Sequence, residues 1–244
     1  DRLRAIGLKV FADGGYSSRN AAILTEYLPE ARSRIGDRGR INLSFGQIRA
    51  LVRRTREAGL RLAIHANGAR AQLHVLRAIL AEGDAYAHPP VRVEHLGNLL
   101  DNDEIVDLVK QANVIPMVQP GFLWSFIGDF LSPIMGDAGR RGRLPLRSLR
   151  DEGIVTPFSS DMALGSMDRE LRPFQTMADA IHRIGFWGNV IDEHERLSLP
   201  EALELHTIEA ARALGMDDVI GSLEVGKAAD LVVLDVPELA SRDL

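Results

Sequence analysis

Short apolar runs alternate along the chain with segments whose apolar residues recur at helical spacing, and this alternation predicts the elements. Leu8, Val10, Phe11 and Ala12 read as a buried strand over residues 7–12, closed by the turn residues Asp13-Gly14-Gly15. Ile48, Leu51, Val52 and Thr55 mark a helix over 45–58, stopped by Gly59. A strand at 60–64, a helix at about 69–82 and a strand at 91–94 follow. Then come a helix at about 101–111 with Asp101 placed to cap it, and the run 114–118. A helix near 145–152 leads to the run 153–160, and two further helices are predicted at about 168–184 and 198–214. The last opens on Ser-Leu-Pro-Glu, a capping box from Ser198 to Glu201. Residues 136–144, "GDAGRRGRL", read as a mobile loop. After Gly215, "GSLEVGKAADLVVLD" has the character of glycine-punctuated strand. Strand and helix in repeated alternation with short connections indicate parallel βα units and an α/β fold.

Composition narrows the partners. The 244 residues are 45% hydrophobic and 26% charged, enough for a sizeable core. A net charge of −5 with scattered basic residues, densest from Arg140 to Arg150, argues against nucleic acid. No apolar stretch reaches the ~18 residues of a membrane span. With no cysteine, disulfide and thiolate chemistry are excluded and a cytoplasmic location is expected.

The polar residues that end the strands carry the chemistry. The run 60–64 ends on His65, the run 91–94 on His95 and the run 153–160 on Asp161, while Lys9 sits inside the first run. Side chains at the carboxyl ends of parallel strands converge on one site, and two imidazoles with a carboxylate suit a divalent metal such as zinc. Each residue also has a plainer reading. A single strand-end histidine is usually structural, Asp161 after two serines suits a helix cap, and Lys9 on an edge strand would snorkel into water. Four such residues in equivalent positions favour the metal site. Glu94 points to the opposite face from His95 by strand alternation, as a structural partner. His74, His88, His182, His194 and His206 are not expected to ligate. Phe122, Trp124 and Phe126 suit either an aromatic pocket wall or the core.

The segments "GLKVFADGG", "LAIHANGARA", "VRVEHLGNL", "VIPMVQP", "LRSLRDEGIVTPFSSD", "LSLPEALELHTIEAAR" and "GSLEVGKAADLVVLD", in this order, resemble the metal-dependent amidohydrolase superfamily. The likeness extends in particular to the family 3 branch, which includes N-substituted formamide deformylases. It implies a (β/α)8 TIM barrel, of which residues 1–215 would supply about strands four to eight, with 216–244 belonging to a small β-sandwich. It implies that Lys9, His65, His95 and Asp161 bind one or two divalent ions, zinc foremost, with Lys9 N-carboxylated as the bridge. Asp161 would also handle the proton of the attacking water. The substrate class implied is a small amide cleaved at a non-peptide C–N bond, with homo-oligomer and monomer both left open. No first-strand His-x-His pair occurs, and Ala69 and Gly121–Trp124 depart from the pattern of relatives. The chain therefore reads as the C-terminal portion of a longer enzyme, inactive alone. The rival reading is a non-catalytic module that keeps the fold for binding or assembly.

Overall fold

The computed structural model describes residues 5–31, 37–83, 89–162, 169, 171–235 and 240. Strand β1 (Gly7–Phe11), helix α1 (Phe45–Glu57), strand β2 (Arg61–His65), helix α2 (Ala69–Leu80), strand β3 (Val91–Glu94), helix α3 (Asp103–Gln111) and strand β4 (Val114–Met117) succeed one another as βα units. The strands form one parallel sheet in the order β1-β2-β3-β4. Its register sets Lys9 beside Ala63, Phe11 beside His65 and His65 beside Glu94.

Strand alternation separates two faces. Leu62, Ile64, Val91 and Val93 pack with Ile48, Val52, Val75, Leu76, Ile79 and Ile105 of α1 to α3. Each such side chain contributes about 1.5–3 kcal/mol of burial. The other face carries Lys9, Phe11, Ala63, His65, Arg92 and Glu94. β1 pairs with β2 alone among the described residues, so the run expected to be buried is an exposed edge, with Phe11 55% exposed. A strand without an outer neighbour has only one flank to hide its side chains.

Other expectations shift for local reasons. Asn102, not Asp101, caps α3, its Oδ1 accepting from the Glu104 N–H at 2.9 Å. The run 153–160 makes a single parallel bridge, Val118 to Phe158, rather than a strand. Pro157 has no N–H to give a ladder there. Short helices α4 (Ser132–Met135) and α5 (Leu146–Asp151) precede α6 (Pro173–His182). The helix expected over 198–214 is two, α7 (Leu199–His206) and α8 (Ile208–Leu214), broken at Thr207 with φ −116° and ψ −90°. The predicted start of α6 at 168 lies outside the described residues.

Residues 136–144, expected as a loop, include a 3-10 turn at Gly136–Arg140 and are tied down by arginine hydrogen bonds. Arg143 grips both Asp192 carboxylate oxygens at 3.0 Å and the Gly128 carbonyl at 2.8 Å. Arg183, fully buried, donates to the carbonyls of Ile191, Leu144 and Arg143 at 2.7–2.9 Å. These arginines tie the segment to the layer of Phe122, Leu123, Ile127, Leu131, Met177 and Leu205. From 216 to 235 no strand forms among the described residues, and Val225, Val232 and Val233 are exposed. Strand-forming sequence needs a neighbouring ladder to satisfy its backbone, and none lies beside it among the described residues.

Candidate functional site

The carboxyl ends of the strands are organised by a residue that the sequence reading passed over. Asp13, just beyond β1, is buried, and its Oδ1 accepts from the Asn67 N–H at 2.9 Å. Its Oδ2 accepts from the N–H groups of Ala22 (2.8 Å) and Gly68 (2.9 Å). One carboxylate thus joins the exit of β1, the following loop and the start of α2. Burial pushes the Asp13 pKa up to about 6, against the pull of these three donors. Gly68 is required at this junction, because a Cβ there would stand 2.1 Å from the Ala22 carbonyl oxygen.

His65 and His95 meet with ring centroids 4.5 Å apart and planes at 73°. His65 Nε2 lies 3.0 Å from the Gly14 carbonyl oxygen and 3.3 Å from Asn67 Nδ2; the carbonyl can only accept, so the shorter contact favours the proton on Nε2 and the lone pair on Nδ1. Burial lowers the His65 pKa, the Gly14 bond raises it, the nearby Lys9 charge lowers it and Asp161 raises it. His95 directs Nδ1 to Gln119 Oε1 at 2.8 Å and Nε2 toward Asp161 Oδ2 at 3.9 Å. Burial foremost, with the His65 charge, pushes the His95 pKa down to about 3, so the ring is neutral at physiological pH. Burial raises the Asp161 pKa, opposed by Lys9 and His65. His95 (φ 70°) and Asp161 (φ 48°) both hold the left-handed backbone region. Such conformations collect at functional sites, where surrounding structure enforces them.

Lys9 is exposed, its ammonium 5.1 Å from the Phe11 ring centroid and close enough to act on the charges of His65, His95 and Asp161. Among the described residues no three His, Asp or Glu side chains are gathered closely enough to hold a metal as they stand. The donor set itself, neutral imidazoles with a lone pair and a carboxylate, is of the kind zinc accepts.

His65, His95 and Asp161 line a cavity of about 320 Å³, with Phe122, Phe126 and Ile127 also on its walls. The Phe122 ring stacks on His95 at 6.0 Å and meets Phe126 edge-on at 4.7 Å. A turn of π-helix at Leu123–Ile127 sets this spacing, a distortion frequent at functional sites. Trp124 points elsewhere, against Phe186 (4.8 Å) and beneath the Arg169 guanidinium (4.9 Å). Glu94 pairs with Arg92 at 2.9 Å. His74 bonds the Leu43 carbonyl (3.1 Å), His194 approaches Glu195 (3.5 Å), His182 ends α6 and His206 sits beside Phe158. His88 lies outside the described residues. Asn98 and Gln119 were also missed; the only hints are "HLGN" and "QP" directly after strands.

The chain belongs to the amidohydrolase family, whose model matches residues 1–243. It is 27% identical to the N-substituted formamide deformylase of Arthrobacter pascens, over 96% of this chain and 41% of that protein. It is 26% identical to Protein LONG AFTER FAR-RED 3 of Arabidopsis thaliana, over 93% of this chain and 38% of that protein. The crystal structure of a metal-dependent hydrolase from Pyrococcus horikoshii OT3 superposes with a TM-score of 0.77 at 26% identity, covering 94% of this chain and 44% of that one. The chain thus spans less than half the length of these relatives. No helix among the described residues is long and apolar enough to cross a membrane.

Proposed function

We propose that this chain carries the strand-end half of a zinc-type hydrolase site that cleaves a non-peptide C–N bond in a small amide. The observation that carries this reading is that His65, His95 and Asp161 line one cavity together with Phe122 and Phe126. His65 would ligate through Nδ1 and His95 through Nε2, the nitrogens left without protons by their outer hydrogen bonds. Lys9, N-carboxylated, would supply a bridging carboxylate. When bound, the metal would lower the pKa of a water toward ~7 and polarise the substrate carbonyl. Asp161 would take the water's proton at a carboxylate oxygen and return it to the leaving amine nitrogen. Phe122 and Phe126 would seat an apolar substituent and exclude bulk water. In this reading the sheet is part of a TIM barrel, residues 216–244 belong to a small β-sandwich, and the protein acts in the cytoplasm.

One observation favours the non-catalytic alternative: no three-ligand cluster is preformed among the described residues. Amine release from a panel of neutral N-alkyl and N-benzyl amides, by the longest protein that contains this chain, supplied with zinc, separates the two. The hydrolase reading expects turnover that Asp161→Asn abolishes. Equal amine release by wild type and Asp161→Asn would refute it.

A further inference from the structure

Gln119 follows β4 and is buried at 1% exposure. Its backbone N–H, which can only donate, lies 3.0 Å from Asn98 Oδ1. That contact identifies the Asn98 carbonyl oxygen, so the other Asn98 terminus is its amide nitrogen. This nitrogen donates at 2.6 Å to Gln119 Oε1, which must therefore be oxygen. The Gln119 amide nitrogen accordingly reaches Ser159 Oγ at 2.7 Å. The same Oε1 stands 2.8 Å from His95 Nδ1 and has no proton to give. The ring proton is thus on Nδ1 and the lone pair on Nε2, 3.9 Å from Asp161 Oδ2. Asn98 Nδ2 also faces His95 Nδ1, but at 3.5 Å and already donating to Gln119 Oε1, so the 2.8 Å contact with Gln119 decides the tautomer.

We propose that Gln119 is a positioning residue that locks His95 in the Nδ1–H tautomer, so that Nε2 presents its lone pair to the Asp161 side of the cavity. Free imidazole side chains in water favour the opposite tautomer, so the lock imposes a state that His95 would not hold alone. Ser159 bonds its N–H to the Val118 carbonyl at 2.9 Å and stands two residues before Asp161. Gln119 therefore braces three things at once: the end of β3, the end of β4 and the segment that brings Asp161. The ligand role of Nε2 rests on the function proposed above; the tautomer does not.

The test is two-bond ¹H–¹⁵N correlation of the full chain with ¹⁵N-labelled histidine, free of metal and at neutral pH. Wild type should show His95 protonated at Nδ1. Gln119→Leu, which removes the acceptor, should shift the ring toward Nε2–H. Gln119→Glu, which keeps it, should preserve Nδ1–H. Ser159→Ala leaves the oxygen on His95 and should also preserve it. Zinc affinity should fall about 10- to 100-fold in Gln119→Leu and be largely retained in Gln119→Glu. A wild-type His95 protonated at Nε2, or an unchanged tautomer in Gln119→Leu, would overturn the proposal. So would a switched tautomer in Ser159→Ala, which would assign the control to strand packing. If Gln119→Leu does not fold, the wild-type and Ser159→Ala spectra still decide. A wild type that shows Nδ1–H yet takes up no zinc would leave the lock standing and remove the metal reading alone.

Discussion

Gly68→Ala isolates the junction on which the strand ends depend. Gly68 has an unstrained φ of −76°, so the substitution perturbs space and not backbone conformation. The new Cβ would stand 2.1 Å from the Ala22 carbonyl oxygen and 2.3 Å from its carbonyl carbon, both backbone atoms that cannot swing aside. Relieving that overlap costs about 1–3 kcal/mol, as for other overpacked sites. Separating Ala22 from Gly68 also loosens their shared bonds to Asp13, about 1 kcal/mol more. The expected loss is roughly 2–4 kcal/mol, a large part of the stability of an ordinary domain. Gly46→Ala is the control of opposite sign. Gly46 sits in the exposed first turn of α1 with nothing within 4 Å of a built Cβ, so alanine there should stabilise by about 0.5 kcal/mol. Urea unfolding followed by circular dichroism, read as midpoint shifts at constant slope, measures both. A Gly68→Ala midpoint equal to wild type would refute the account of the junction.

Lys9→Ala tests the bridging role. If Lys9 bridges, zinc content falls and added acetate restores part of it; if it only snorkels, stability changes by less than about 0.5 kcal/mol and metal is unchanged. Asp13 governs part of the pH profile. Its folded pKa of about 6 lies above the ordinary 3.8, so the folded state binds that proton more tightly. The resulting stabilisation is full below about pH 4 and is lost as pH rises through about 6. Asp13→Asn should flatten this slope in unfolding midpoints across that window. Asp179, held at about 6 by burial beside Arg169, would keep a residual slope. An unchanged profile would assign the whole dependence elsewhere.

The elements most legible in the sequence were those whose neighbours follow in order. Leu62 and Ile64 alternate with Arg61, Ala63 and His65, and that period alone separates the helix-packed face from the site face. Local pattern could not tell that β1 is an edge, because Leu8 and Phe11 look the same whether or not another strand covers them. It could not show that Pro157 reduces the next strand to one bridge, or that Thr207 breaks a helix with continuous apolar spacing. The strand-end histidines were visible because their chemistry is unusual in an apolar run. Asp13 and Gln119 were not, since an Asp before two glycines and a Gln before a proline read as turn residues. Their roles depend on atoms far away in sequence, Gly68 for Asp13 and Asn98 and Ser159 for Gln119.

The most direct test of the central claim is zinc binding by the metal-free full chain, measured by isothermal titration with metal analysis of the dialysed protein. His65→Ala, His95→Ala and Asp161→Ala should be measured beside wild type, each checked for folding by circular dichroism. Wild type should take up zinc stoichiometrically, and every folded variant should lose affinity markedly. A wild type that takes up no zinc, or variants that bind it as wild type does, would contradict the claim.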